Sequence, residues 1–455
     1  MHSVWAVAKN TIRQALRLKV AAAFIVLLFI LLPLMGLTVT GDGTLKGRLQ
    51  TFVSYGLSLT SVLLCLLTII VSAYTLTSDI QQRQIYTVIT KPIRRFQLLL
   101  GKLLGVVLLD IGLLALFALV IYVIAIYMPF LTDAPQDEVV EAENEFFTAR
   151  ASITPPGVDV SEEVAQTYKK LQERNELPED MSRKEILAEL TRRQKLEKRA
   201  VGVGQELLWE FHNVQPLDLS DRLFIRFKYD VAVNPPDSQV YGKWIIGDYR
   251  QVKYGAESTT PIYETPVRKD PVRTFREIAI PADAVAQDGY LAIDFVNMPL
   301  NETVIIFPLE DGLEVLYKAD SFRANFIKAV LLILFRLIFL ACLGTLAATF
   351  LSFPVAILFC LVVFFTATFS SFVLDSFDLL GESISGVYSY TIRPLIQLLP
   401  QFDKFNPTGY LVPARLLAWP LVARAAGFMI AIKACLLLLV SLLIFHYKEL
   451  ARITV

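Results

Sequence analysis

The chain has 455 residues, 55% hydrophobic and only 19% charged, and its 43 basic and 43 acidic side chains balance to zero. A soluble domain carries nearer a quarter charged residues; here the deficit is concentrated in long apolar runs around a polar middle, which excludes a single soluble globule. The neutral balance offers no basic field for nucleic acid, and Cys65, Cys342, Cys360 and Cys435 all stand inside apolar runs, as small buried hydrophobes rather than disulfides or metal ligands.

In residues 1–19, Val4, Val7, Ile12 and Leu16 interleave with Lys9, Arg13 and Arg17, which predicts an amphipathic helix lying along a membrane interface. Residues 20–39 form the first apolar run, too long for the core of a signal peptide and followed by no small-residue cleavage site. Further runs at 55–76, 103–128, 326–349, 355–374 and 421–445 bring the count to six spans, each near the twenty residues a bilayer requires. Basic residues set the orientation: Lys9 to Lys19 before the first span, Arg83, Lys91, Arg94, Arg95 and Lys102 between the second and third, Lys448 and Arg452 after the sixth. All fall on one side, so both termini are expected in the cytoplasm, the membrane being a bacterial inner membrane. The turn at 350–354 carries no charge and gives that joint no support.

The expected fold is a polytopic α-helical membrane protein with six spans and an inserted extracytoplasmic α+β domain. Residues 129–203 are read as its helical segment, with helices at Ser161–Arg174 and Ser182–Lys198, the second opening on a capping box Ser182-Arg183-Lys184-Glu185. Residues 204–325 alternate as short strands between turn residues, at 223–229, 243–246, 274–280, 291–295 and 303–307, which predicts a β-sandwich. After the fifth span, residues 385–418 are expected to hold an interfacial helix, and Asp375, Asp378 and Glu382 are either a cation-attracting mouth or solvated surface.

Between the second and third runs the chain reads Asp79, then Gln82-Arg83-Gln84, then Lys91-Pro92-Ile93-Arg94-Arg95 and Gly101-Lys102. With the start Ala8-Lys9-Asn10-Thr11-Ile12-Arg13 and the end Phe445-His446-Tyr447-Lys448-Glu449-Leu450, this resembles the membrane-spanning permeases of type-2 ABC exporters, in the branch of the nitrous-oxide-reductase maturation and sodium-efflux permeases. That branch often has Glu where Asp79 stands and Gly where Gln84 stands. The resemblance covers the membrane portion and not the polar middle. It implies a transport subunit rather than an enzyme, paired with a second permease copy as homodimer or heterodimer and driven by two copies of a separate ABC ATPase. No G-x-x-x-x-G-K-[ST] string exists here, so ATP and Mg belong to that partner and this chain is expected to bind no cofactor or metal. The candidate ATPase-coupling residues are Asp79, Arg83, Lys91, Pro92, Arg94 and Arg95: a short helix stopped by proline with cations beyond it can press on an ATPase.

Two ionisable residues lie deep in apolar runs. Asp110 is about 12 Å past Lys102, and Arg336 lies about 14 Å from the same face of a core roughly 30 Å thick. Their equal depth predicts an intramembrane charge pair, within one subunit or across a dimer, as a clamp or as part of a gated route. Trp209, Tyr241 and Trp244 are candidate ligand aromatics for a sugar ring, with core packing as the plainer alternative. A periplasmic accessory protein is a candidate partner of the outer domain. The alternative functions are a mechanotransmission subunit that moves its outer domain without passing a solute, and last a membrane-anchored binding protein or hydrolase; only His2, His212 and His446 exist and none joins a catalytic motif.

Overall fold

The structure is a computed structural model of the full chain. It describes every residue except 1, 82–93, 175, 179–182, 220, 251–259, 379–390, 392, 395, 397 and 448–455. The chain divides into two compact units, Met1–Thr148 with Phe322–Val455, and Ala149–Ser321.

The first unit is helical. Helix α1 (His2–Leu16) leads into α2 (Lys19–Thr38), α3 (Leu45–Gln81) and α4 (Arg95–Leu131); a short α5 (Gln136–Glu145) follows. After the second unit come α6 (Phe322–Phe350), α7 (Phe353–Thr368), α8 (Ser370–Asp378), one turn at Thr408–Leu411, and the last helix Trp419–Tyr447, π-helical over Gly427–Ala434. Five of these, α2, α3, α4, α6 and Trp419–Tyr447, are long and apolar enough to cross a membrane. The expected fifth span at 355–374 differs: α7 has 16 residues, about 24 Å of rise, and the chain turns at Phe369 before α8. The exposed side chains on α2 include Val26, Phe29, Ile30, Leu34 and Leu37, an apolar outer surface suited to lipid. Helix α6 is buried around most of its girth, from Phe326 through Leu340 to Thr349, and packs on α3, α4 and the last helix.

Helix α1 does not depend on a lipid surface alone. It crosses α4 where Gly101 and Gly105 leave the backbone bare: a Cβ at Gly101 would stand 2.7 Å from Val7 Cβ, and one at Gly105 2.8 Å from the Ala8 carbonyl. Ala8, Thr11 and Ala15 are buried in this seam. Small residues four apart let two helices approach this closely. Gly105→Val is expected to push α1 off, costing about 1–3 kcal/mol as overpacking; trypsin should then cut the purified chain at Lys9 and Arg13 where the wild type is protected.

Residues 129–148, expected in the inserted domain, belong to the helical unit. Helix α5 lies on α3: Glu138 accepts from the Leu45 backbone NH at 2.8 Å, and Lys46 bonds Glu145.

The second unit opens with β1 (Thr148–Ile153), then α9 (Ser161–Glu173) and α10 (Arg183–Glu197). Just before α9, Asp159 accepts from the Ser161 NH at 3.0 Å and from its hydroxyl at 2.6 Å; Ser182 of the expected capping box lies outside the described residues. Strands β2 (Ala200–Val201), β3 (Glu206–Phe211), β4 (Arg222–Phe227), β5 (Asp230–Val231), β6 (Gln239–Gly247), β7 (Tyr263–Glu264), β8 (Arg268–Pro271), β9 (Arg276–Pro281), β10 (Leu291–Asn297), β11 (Ile305–Ile306) and β12 (Leu313–Ser321) follow. One sheet runs β1-β12-β4-β9, the second β3-β10-β6-β7 with β8 beside β6, and a small third β2-β11-β5. Alternate residues of β4, β9 and β12 meet those of β3, β6 and β10 in a single core, with Phe227 and Trp244 rings 4.6 Å apart. The β-rich unit expected from the strand spacing is therefore present: β4, β6, β9, β10 and β11 fall on expected strands, and β1, β2, β3, β5, β7, β8 and β12 are added to them.

Asp294 stands out on β10. It is 1% exposed, and neither carboxylate oxygen has a hydrogen-bond partner. Burial, helped by the charge of Glu206, pushes its carboxyl up to about 6. An acid with a raised folded pKa binds more protons folded than unfolded, so its penalty is absent at low pH and grows as pH rises from about 4 through 6. Asp294→Asn should raise stability by about 1–2 kcal/mol at pH 8 and change little at pH 4; tryptophan-fluorescence melts of the full chain at both values check this.

Candidate functional site

The second-to-third-span connection is held at both ends. Asp79 closes the last turns of α3, Lys102 lies in the second turn of α4, and their carboxylate and ammonium are 2.5 Å apart with 14% and 5% of the side chains exposed. Lys102 also donates to the Thr75 carbonyl. Lys102 thus turns inward onto α3. Arg94, exposed, precedes α4, and the Gln97 side chain accepts from its backbone NH at 3.2 Å. Arg95 donates to the His446 carbonyl at 3.0 Å, tying the start of α4 to the end of the last helix. Arg83, Lys91 and Pro92 lie outside the described residues, as do the side chains of Asp375, Asp378 and Glu382.

The expected pairing of Asp110 with Arg336 is not formed in this chain. Asp110 is 1% exposed and accepts from the Thr68 hydroxyl at 2.9 Å, while its other oxygen has no partner. Arg336 instead donates to the Ser61 hydroxyl at 3.3 Å and to the Phe402 carbonyl at 3.2 Å, its guanidinium 4.9 Å from the centre of the Phe402 ring. Depth brought the two charges level; rotation about the helix axes sends them to different neighbours.

The Arg336 contacts depend on the stretch before the last helix. Of the interfacial helix expected over 385–418, residues 391, 393, 394, 396 and 398 are helical and 385–390 lie outside the described residues; residues 399–407 are bends and turns, because Pro400 and Pro407 cannot continue a helix. This stretch packs into the helical unit. Phe402 is fully buried and its NH donates to the Ala367 carbonyl at 3.0 Å; Asp403 accepts from the Ser370 hydroxyl at 3.0 Å and from the Ser371 NH, capping α8. Lys433, in the π-helical stretch, donates to the Leu399 carbonyl at 2.6 Å. Ser61, Phe402 and Asp403 escaped the sequence reading; Pro400 and Pro407 were the one signal, and they mark only the broken stretch that holds Phe402 and Asp403.

Of the candidate ligand aromatics, Trp209 and Trp244 are core residues, 7% and 0% exposed, which is the plainer of the two readings. Trp209 packs edge-on to Phe307 at 4.8 Å, and Trp244 meets Phe295 at 4.7 Å. Neither offers a face to a sugar. Tyr241 is half-buried, with Lys269 Nζ 5.3 Å from its ring centre. Three of the cysteines are buried as expected, while Cys435 lies on an exposed helix face.

Comparison of the chain with protein-family models, curated proteins and solved structures returns no match.

Proposed function

We propose that this chain is the membrane-spanning permease subunit of an ATP-driven ABC exporter. It works as a dimer in a bacterial inner membrane, with both termini in the cytoplasm and a separate ATPase, carrying ATP and Mg, docked on each copy. In this reading α7 is the fifth of six spans, and the β-rich unit faces the periplasm. The observation that carries the proposal is the buried Asp79–Lys102 pair. It locks together the two helices that flank residues 82–93, and Arg95 ties the same end to the last helix. A push on that connection from an ATPase would reach three long helices at once instead of being absorbed by a slack loop. The order of the Asp79, Lys91-Pro92 and Gly101-Lys102 motifs supports the same reading.

The test is purification of the tagged full chain from its own membranes. A P-loop ATPase should copurify, and alanines at Arg83, Lys91 and Arg94 should release it. A complex with no nucleotide-hydrolysing companion would end the proposal. A second reading, force transmission without solute passage, is favoured by one feature: Ala149–Ser321 is a compact unit with its own aromatic core. Solute-stimulated ATPase activity in liposomes supports the exporter; ATPase activity indifferent to every solute and responsive to truncation of Ala149–Ser321 supports transmission.

A further inference from the structure

Arg336 is the central residue of α6, with residues 322–335 on one side and 337–350 on the other. A charge at the centre of so apolar a helix carries a cost of a few kcal/mol even on insertion scales, and such residues face interiors or cavities. Its guanidinium has five N–H donors. Its hydrogen bonds go to one hydroxyl and one carbonyl, both neutral, and Nε has no partner. Among the described residues no carboxylate forms an ion pair with it. Asp403 is near, but its oxygens already accept from Ser370, Ser371 and the Lys404 NH.

The guanidinium borders a cavity of about 220 Å³ whose other walls include Ser58, Ser61, Phe402, Asn406 and Thr408, and also Asp403, whose carboxylate oxygens are turned to Ser370, Ser371 and the Lys404 NH. Ser58 and Asn406 are exposed at its edge, so the cavity has an entrance. One wall is the non-helical stretch 399–407. At membrane depth, irregular backbone is tolerated where it is buried in protein or lines a cavity, and broken elements of this kind mark binding sites in transporters. Here two cations, Arg336 and Lys433, hold its carbonyls in place.

We infer that Arg336, with Ser58, Ser61 and Asn406, forms a binding site for a phosphate-type oxyanion, carried by a lipid headgroup or by a free solute. The guanidinium fork matches phosphate oxygens in two parallel bonds. The serine hydroxyls and the Asn406 amide add neutral donors around it. The inference does not rest on the ATPase reading, because binding is read on the purified chain with no ATPase present.

The experiment measures equilibrium binding of inorganic phosphate, and separately of phosphatidylglycerol against phosphatidylcholine, to the full chain in neutral detergent. Wild type, Arg336→Gln and Ser58→Phe are compared. The wild type should hold one equivalent of at least one anionic probe, and Arg336→Gln should weaken it about tenfold or more, the loss expected for a charge-assisted bond. Preference for phosphatidylglycerol identifies a headgroup site; binding of inorganic phosphate identifies a solute site. Ser58→Phe fills the entrance without removing a bond of Arg336, so it should block binding at an unchanged melting temperature and decides the matter if Arg336→Gln does not fold. Binding of neither probe by the wild type, or wild-type binding by Ser58→Phe, overturns the site.

Discussion

Replacing Lys102 by Met is expected to cost about 3–5 kcal/mol, because it strands the Asp79 carboxylate at a position 14% exposed with its cation gone. The Thr75 carbonyl loses its donor in the same change. A buried pair contributes little net stability relative to an apolar pair of similar volume, but half of one is far worse than either. The double variant Asp79→Leu, Lys102→Met should therefore recover most of the loss, and a double-mutant cycle on melting of the purified chain should show a coupling of about 2 kcal/mol or more. If each single change proves mild and the two simply add, the pair does not lock the ends of α3 and α4. Under the proposed function the double variant also separates stability from coupling: it should fold and retain its ATPase, yet respond to hydrolysis less than the wild type.

The second large effect belongs to the β-rich unit. Trp244→Ala should remove about 3–5 kcal/mol from it. The side chain is fully buried, lies opposite Phe295 on the neighbouring strand, and bridges the two sheets through Phe227 at 4.6 Å. Near-UV circular dichroism should lose its aromatic signal at a lower temperature, while the far-UV helical signal persists, since the helical unit has a core of its own. Trp244→Phe should lose markedly less. A variant whose helical and aromatic signals collapse together would contradict two separately stable cores.

The long helices were legible because hydrocarbon sets a length: any run of about twenty apolar residues declares itself. Their ends were not, because the helical pattern continues beyond the lipid. Leu45 to Ser54 and Arg95 to Lys102 are helical although too polar to count as span. The central strands β4, β6, β9 and β10 were legible from alternation. Strand β1 was missed because the alternating apolar positions of Thr148-Ala149-Arg150-Ala151-Ser152-Ile153 are filled mostly by alanine, which has low strand propensity, and pairing with β12 makes it a strand. The break after α7 left no local mark, since Phe369-Ser370-Ser371 contains neither Pro nor Gly. Its stabiliser, Asp403, is 33 residues away.

The amino-acid order alone determined that the chain holds long apolar helices around a polar β-rich insert, and which ionisable residues stand inside the apolar runs, for these depend on composition and one-dimensional spacing. Only the tertiary structure decided what each deep charge touches: Asp79 with Lys102, Asp110 with Thr68, Arg336 with Ser61 and the turn at Phe402. The physical reason is that depth along a helix follows from counting residues, whereas direction around its axis follows from which neighbours pack against it. A step of one residue turns a side chain by about 100° while moving it only about 1.5 Å along the axis.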